Sequence, residues 1–322
     1  MGIKQLLKSI PLVKLWGRKI NSLRIFRLDS KCFNDYYLES MKDKGEYKYA
    51  VMLLVHSLEK GMCMPNPRPY GFDKVYELMK YLKNTEKKQS FEYELGISVL
   101  YAWIDYFDKH QWTDEQAYGD VRLFLNDKQN PNIDSGCKEY NPTRIDWSEQ
   151  YYDIISSRHA VRDFRKVKIR QEDIDFAINC FLETPTACNR QMCGLVYIND
   201  TKIKEYLEKR IIGLSGFNKP NTQYFIITYD LSALAYLGER NQGMFNAGLC
   251  TTNFINALHS RGIGTCCLQW SNNPTEDFMV RKALGLSDSE RIAVVIAAGY
   301  YKKNNIVPCS VRKTKKDIFR SV

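Results

Sequence analysis

The residues with the clearest chemical potential form a basic cluster in the sequence SSRHAVRDF, residues 156–164. Arg158, His159 and Arg162 lie within five positions of one another. Each guanidinium is a planar fork that matches the oxygens of a phosphate, so two forks and an imidazole suit a phosphate monoester. Taken alone, the nonapeptide favours the alternative of a solvated turn with surface arginines.

Predicted helices flank the basic cluster. Apolar residues recur at helical spacing on both sides of it. These are Tyr151, Ile154 and Ile155 before the cluster, and Ile174, Ala177, Ile178 and Phe181 after it. Basic side chains at such a junction can converge on one small anion.

A second motif, PTACNRQ at residues 185–191, follows the second helix and leads into a predicted strand at 195–198. The order S-R-x-x-V-R-x-F, amphipathic helix, P-[small]-[small]-x-N-x-Q resembles the start of the nitroreductase family of FMN enzymes. The resemblance extends over roughly the last 175 residues, the size of one ordinary domain.

The fold class that this resemblance implies is α+β. It is a nitroreductase-like α-β-α sandwich with a central mixed, mainly antiparallel sheet, preceded by an α-helical N-terminal region. Strands are predicted at 195–198, 222–229, 265–270 and 292–298, and helices at 203–211, 245–258 and 275–284. Residues 126–146 are rich in Asn, Asp, Pro and Gly, which favours a loop or linker. We therefore predict a helical region at 1–140 and an FMN-binding domain at 141–322.

The resemblance also implies residue roles. Arg158, His159 and Arg162 match residues that hold the FMN phosphate and ribityl chain. Asn189 matches the residue whose amide reads the isoalloxazine edge, and Gln191 of the same motif is also expected to bind the cofactor. Cys267, Leu268 and Gln269 match the strand segment behind the flavin, where a backbone N–H faces N5. Arg312 matches a basic residue late in the family's sequence that returns to the phosphate. Two positions depart from the family pattern: Ala160 stands where Ser is frequent, and Met192 where Pro is common.

The function that the resemblance implies is an FMN-dependent oxidoreductase passing electrons from NAD(P)H through flavin N5 to a small acceptor. A nitroaromatic, a quinone and an unsaturated pathway intermediate all remain open as acceptors. No residue stands out as a catalytic acid, and position alone places Glu239, Arg240 and Gln242 on the acceptor side. The small residues of the helix at 245–258, with the family's habit of closing each flavin site with a partner chain, predict a homodimer. The alternative is a non-catalytic scaffold or flavin-holding protein in surface-polysaccharide biosynthesis.

Other classes of site lack their motifs. There is no G-x-x-x-x-G-K-[ST], and the Gly262 and Gly264 pair lacks the third glycine of a dinucleotide fingerprint. The ten cysteines form no C-x-x-C pair and the four histidines do not fall near them at metal spacing, so we predict no metal site and free thiols in the cytoplasm. Cys188 is predicted to be a small buried side chain. The net charge of +10 comes without a nucleic-acid-binding motif.

The N-terminal region contains two further patterns. Residues 3–27 hold seven basic side chains interleaved with apolar ones. We expect a helix packed on the body with a solvated basic face, with weak contact to the anionic inner membrane face as the alternative. Further on, HSLEKGM at 56–62 is similar to a string in nitroreductase-like proteins linked to bacterial surface-polysaccharide genes. There we predict a helix ending at Lys60, with Gly61 as its C-terminal stop.

Overall fold

A computed structural model gives the fold and describes residues 11–131, 133–142, 145–270 and 273–322, apart from the side chains of 11–14 and 18. The N-terminal helices are α1 (Pro11–Tyr36), α2 (Leu38–Asp43), α3 (Lys48–Met62), α4 (Phe72–Asn84), α5 (Phe91–Lys109) and α6 (Gln116–Leu125). The remaining elements are α7 (Ser148–Ser157), α8 (Gln171–Leu182), β1 (Cys193–Ile198), α9 (Thr201–Glu208), β2 (Gln223–Asp230), α10 (Gln242–Ser260), β3 (Ile263–Leu268), α11 (Pro274–Ala283), β4 (Glu290–Tyr300) and α12 (Lys315–Ile318). The predicted order of strands and helices after residue 190 is confirmed.

The four strands form one sheet in the order β1-β2-β4-β3. All three ladders are antiparallel. An isolated parallel bridge joins Ala160 to Thr265 at the outer edge of β3. The sheet is therefore mainly antiparallel, and the basic cluster approaches its edge as a short parallel addition.

Helices cover both faces of the sheet. Side chains of β2 alternate between faces, and both sets are apolar. Tyr224 and Ile226 pack with α9 and α11, whereas Phe225 and Ile227 pack with α8 and α10. Sheets buried on both faces have near-continuous apolar strands, as in the sequence YFII of β2. The predicted α-β-α sandwich, with a helical region before it, is confirmed.

The N-terminal helices have a core of their own around Trp103, which is fully buried. This core also contains Leu231 and Leu234, which follow β2, so the helical region packs directly on the second half of the chain. The predicted loop is held as well, because Ser98 on α5 donates a hydrogen bond to the carbonyl oxygen of Ile133 at 2.7 Å. The domain boundary at 140 stays a prediction.

Helix α1 is not packed on the body over most of its length, so the expectation for the N-terminus is wrong for the part described. Residues 15, 16 and 19–31 are exposed, and burial begins only near Phe33. Apolar residues are spread around the helix, with Leu15, Trp16 and Leu23 exposed, so no single stripe matches the body. Residues 1–10 of the basic segment lie outside the described residues. No helix in the described part of the chain has the length and apolar character needed to cross a membrane.

Gly61 does not end its helix. Helix α3 continues to Met62, and Gly61 lies inside it. A Cβ at Gly61 would overlap the ring of Tyr70, whose hydroxyl donates to the carbonyl oxygen of Leu58. Gly61 is therefore needed for the close approach of a ring that lies beyond the helix in sequence.

We predict opposite effects for two helical glycines. In Gly61→Ala the added methyl displaces Tyr70, and overpacking of this kind costs about 1–3 kcal/mol of folding free energy. In the control, Gly119→Ala on α6, nothing lies within 4 Å of the new Cβ. There the higher helix propensity of alanine stabilises by about 0.5–1 kcal/mol. Urea unfolding measures both changes, and equal stabilisation of the two variants would contradict the packing argument.

Candidate functional site

The basic cluster is fixed against the edge of the sheet. Arg158 follows α7 directly, and Val161 donates its backbone N–H to the carbonyl oxygen of Thr265 at 3.0 Å. Among the described residues, the side chain of Arg162 donates only to the carbonyl oxygen of Ala160, at 3.3 Å. Within the described chain, neither Arg158 nor Arg162 has a carboxylate within 4 Å. The two guanidinium groups therefore have unused capacity for an anion.

Nearby charges do not compete for these arginines. The carboxylate of Asp163, the acidic residue beside Arg162, pairs with Lys302 at 2.5 Å. The hydrogen bonds from Lys302 and Asn218 outweigh the effect of burial and hold the pKa of Asp163 below its usual value. The negative charge next to the cluster is thus neutralised by a different cation.

The end of β3 adds a backbone donor to the same edge. N–H and C=O groups of alternate residues in a strand point to the same side. Because the Thr265 carbonyl points outward to Val161, the backbone N–H of Cys267 also points outward. Burial raises the pKa of the Cys266 thiol, and the positive charges of Arg162 and Arg158 partly offset this. Leu268 is buried and Gln269, just past the strand, is exposed.

Histidine 259 supports the cluster, and sequence reasoning missed it. Its Nε2 lies 2.9 Å from Oγ of Ser157, and its Nδ1 lies 2.7 Å from the hydroxyl of Tyr301. Burial lowers the pKa of His259, and the charges of Arg158 and His159 lower it further. His259 therefore stays neutral at pH 7 and links α10 to the end of α7. A histidine one residue before the end of α10 gives no sequence signal for such a link.

The second motif adopts an unusual backbone. Cys188, Asn189 and Gln191 have φ values of 52°, 48° and 49°. Each non-glycine residue in this left-handed region costs roughly 1–2 kcal/mol. Asn189 and Gln191 are exposed, whereas Arg190 between them is buried. Cys188 is half-buried, so the prediction that it is buried is wrong, and its left-handed turn is the reason.

A buried ion pair holds this backbone in place. Arg190 forms two hydrogen bonds of 2.8 Å to the carboxylate of Glu239. It also donates to the carbonyl oxygens of Ala187 and Ala233. Glu239 accepts from the backbone N–H of Ala235 at 2.7 Å. Glu239 therefore fixes the loop, and its expected place on the acceptor side stays a prediction.

One chain does not bring the two motifs together. The Ala187 N–H donates to Asn246 near the start of α10, at 3.1 Å. Ser157 contacts His259 at the other end of that helix. Thirteen residues of helix separate Asn246 from His259, which is about 20 Å. Asn189 and the arginines therefore occupy opposite ends of α10, next to the two edge strands of the sheet.

The predicted role of Arg312 has no support in the described contacts. It lies in the segment between β4 and α12 and is exposed. Among the described residues it has no ion pair and no side-chain hydrogen bond. The return of Arg312 to the phosphate site stays a prediction.

Comparison with known proteins gives one family match. Residues 216–300 match the model described as Nitroreductase family, a segment that contains β2, α10, β3, α11 and β4. A search of curated proteins found no match to this chain.

Solved structures give low-identity matches. An FMN-dependent nitroreductase from Clostridium difficile is 16% identical, with 52% of this chain and 98% of that chain covered, at a TM-score of 0.45. A nitroreductase family protein from Clostridium novyi is 15% identical, with 48% and 86% covered, at a TM-score of 0.44. A protein from Desulfovibrio desulfuricans in complex with FMN is 17% identical, with 53% and 95% covered, at a TM-score of 0.45.

The ion pair predicts how acid affects the loop. Burial acts to raise the pKa of Glu239, but Arg190 and the backbone donors outweigh it, so the pKa is lowered. The stabilisation is therefore complete above the ordinary glutamate pKa and is lost as pH falls through the lowered value. Glu239→Gln leaves a buried cation unpaired, so at pH 7 it should cost up to about 3–5 kcal/mol of unfolding free energy.

Urea unfolding at pH 7 and at pH 3.5 checks this (both are chosen assay conditions, with Glu205→Gln as the surface control). The deficit of Glu239→Gln relative to the parent should shrink on acidification. Glu205 is exposed on α9 and has no ion pair among the described residues, so its variant should match the parent. A deficit that does not change with pH would contradict the assignment.

Proposed function

We propose that this chain is a nitroreductase-family oxidoreductase that binds FMN and transfers electrons from NAD(P)H to a small acceptor. The observation that carries the proposal is the pair of arginines without acidic partners beside an outward-facing backbone N–H at the edge of β3. The family match over residues 216–300 supports it. The family resemblance of residues 156–164 and 185–191 adds to that support.

The residues present suit FMN. Arg158 and Arg162 supply charge-assisted donors for the phosphate, and neutral His259 holds the segment that carries them. The Cys267 backbone N–H is available to a polar ring atom, and the exposed Asn189 amide offers both donors and an acceptor. Bound FMN would supply the electron transfer, while the protein supplies position and electrostatics.

A homodimer would bring Asn189 of one chain close to the arginines of the other. The exposed face of α10 includes Phe245, Gly248 and Thr252 at helical spacing. Small residues at positions 248 and 252 permit close approach of a second helix. If two copies of α10 pack antiparallel about a two-fold axis, the start of one lies beside the end of the other. Asn189 of one chain then meets the arginine cluster of its partner.

We predict that FMN binding depends on the arginine pair. Hydrogen bonds to charged groups are worth about 1.5–3 kcal/mol, so losing one arginine should weaken FMN binding about tenfold to a hundredfold. Flavin fluorescence titration of Arg158→Ala, Arg162→Ala and the double variant measures this.

Asn189→Leu should retain flavin but slow its reduction by NAD(P)H. FAD should bind more weakly than FMN, because the enclosed phosphate leaves little room for an adenylate.

The control removes two basic side chains from the same segment, with Arg165→Ala and Lys166→Ala combined. Both residues are exposed, and this variant should bind FMN as tightly as the parent. Unchanged FMN affinity in the Arg158 and Arg162 double variant would refute the proposal. Flavin binding without NAD(P)H oxidation would instead favour the flavin-holding scaffold in surface-polysaccharide biosynthesis.

We also propose weak, peripheral contact of α1 with the anionic inner membrane face. The exposed part of α1 includes Leu23 and Phe26 beside Lys19, Arg24 and Arg27. Apolar side chains can enter the interface while the basic ones meet anionic lipid headgroups. This charge complementarity is what supports a membrane in preference to a neutral partner surface.

Sedimentation with phosphatidylserine vesicles at low salt measures this contact. Each basic residue near an anionic surface is worth about 1 kcal/mol, so replacing Lys19, Arg24 and Arg27 by Gln should weaken binding about a hundredfold. The matched control replaces the exposed Lys80, Lys87 and Lys109 by Gln and should sediment like the parent. Equal recovery of all three proteins in the supernatant would contradict the proposal.

A further inference from the structure

A cleft of about 300 Å³ lies between the N-terminal helices and the loop of residues 185–191, called the Asn189 loop below. Its walls come from α2, α3 and α4 on one side. The other side is formed by Cys188, Ala235 and Tyr236. Cys188 immediately precedes Asn189, so the cleft opens beside the residue expected to read the flavin ring. Cavities of this size accept small organic molecules.

The HSLEKGM segment divides its residues between core and cleft. Leu58 is fully buried, and Gly61 receives the Tyr70 ring. In contrast, His56, Ser57 and Lys60 line the cleft. These three positions recur at helical spacing on one face of α3, so this face of residues 56–62 lines the cleft.

Glu59 of the same segment lies outside this face. Burial raises the pKa of Glu59, and a hydrogen bond from the Gly136 backbone partly offsets that rise. It is not among the residues that line the cleft. The segment therefore offers the cleft basic and neutral groups, without a catalytic His56–Glu59 pair.

The cleft is lined by three lysines, Lys42, Lys60 and Lys74, and by two glutamates, Glu39 and Glu77, so its charges leave a net positive balance of one. Lys42 is occupied by two carboxylates, Glu39 at 3.3 Å and Glu77 at 3.7 Å. Lys60 and Lys74 have no carboxylate within 4 Å in the described part of the chain. Lys74 instead donates to Oγ of Ser57 at 2.6 Å, which places its ammonium in the cleft.

The remaining surface is suited to an organic body. Burial lowers the pKa of His56, and the charge of Lys60 lowers it further, so this imidazole is neutral at pH 7. Leu53, Leu54 and Tyr81 add apolar and aromatic surface. Two unpaired ammonium groups over an apolar floor match a small unsaturated or aromatic molecule that carries an acidic group.

We propose that this cleft is the acceptor subsite and that Lys60 and Lys74 bind the anionic group of a small organic acid. The inference rests on the proposed function, because the acceptor must lie next to the flavin that the partner's arginines would hold. It gives the N-terminal helices a part in substrate choice. The acceptor class is thereby narrowed to anionic molecules.

Two isosteric probes test the charge requirement, 4-nitrobenzoate and 4-nitrobenzamide. In each turnover NAD(P)H and one proton reduce the nitro group to a nitroso group, giving NAD(P)⁺ and water. Calorimetric binding of 4-nitrobenzoate to the FMN-loaded protein gives a readout that does not depend on turnover. Losing both ammonium groups in Lys60→Gln with Lys74→Gln should weaken 4-nitrobenzoate binding about tenfold or more and raise its KM similarly. The KM for 4-nitrobenzamide should stay within twofold (our chosen threshold).

Matched controls separate charge from folding. Lys80→Gln with Lys109→Gln removes the same charge from exposed positions outside the cleft and should leave 4-nitrobenzoate binding unchanged. Lys60→Arg with Lys74→Arg retains both charges and should keep most of the affinity. Anaerobic reduction of the flavin by NAD(P)H, without any acceptor, should be the same in every variant. Loss of that step in the parent would refute the proposed function, and calorimetry would still test the cleft.

Two outcomes would overturn the inference. One is parent-like 4-nitrobenzoate binding in the Lys60 and Lys74 glutamine variant. The other is an equal loss for the acid and the amide, which would mean that the substitutions disturb the cleft without removing an anion contact.

Discussion

Helix α10 sets the distance on which the candidate site depends. Its first turns hold the Asn189 loop through Asn246, and its last turn holds the basic cluster through His259. A straight helix keeps these two contacts about 20 Å apart, which is farther than any side chain can span. Under the proposed function, the two motifs are half-sites of different FMN sites. The exposed face of the same helix is then the surface on which we propose that a second copy packs.

The Asn189 loop shows how buried charge and backbone strain are combined. Three left-handed non-glycine residues would relax in an isolated peptide. The Arg190–Glu239 pair prevents this by tying the loop to the segment before α10. A buried pair of this kind contributes geometry more reliably than it contributes stability. Asn189 and Gln191 are therefore exposed because Arg190, which lies between them, pairs with Glu239 far along the chain.

Much of the fold could be predicted from local pattern. The β-branched and aromatic run of β2 and the periodic apolar residues of α8 identify their elements because burial follows local geometry. The prediction that Gly61 ends its helix was wrong. Glycine is needed there because the Tyr70 ring packs against it, a contact that local pattern does not include. The partnership of Arg190 with Glu239 and the link through His259 were missed for the same reason. The family resemblance implied a site shared between two chains, but the distance between the two motifs within one chain came only from the structure.

Mixing two impaired chains tests the central claim that each site combines halves from two subunits. One chain carries Arg158→Ala and Arg162→Ala, and the other carries Asn189→Leu. In a heterodimer, the intact arginines of one chain meet the intact asparagine of the other, so random mixing should restore about a quarter of the parent sites. NAD(P)H-dependent flavin reduction after co-refolding should rise to about that fraction, with a light-scattering mass of two chains. No recovery on mixing, or a mass of one chain with FMN bound, would contradict the account.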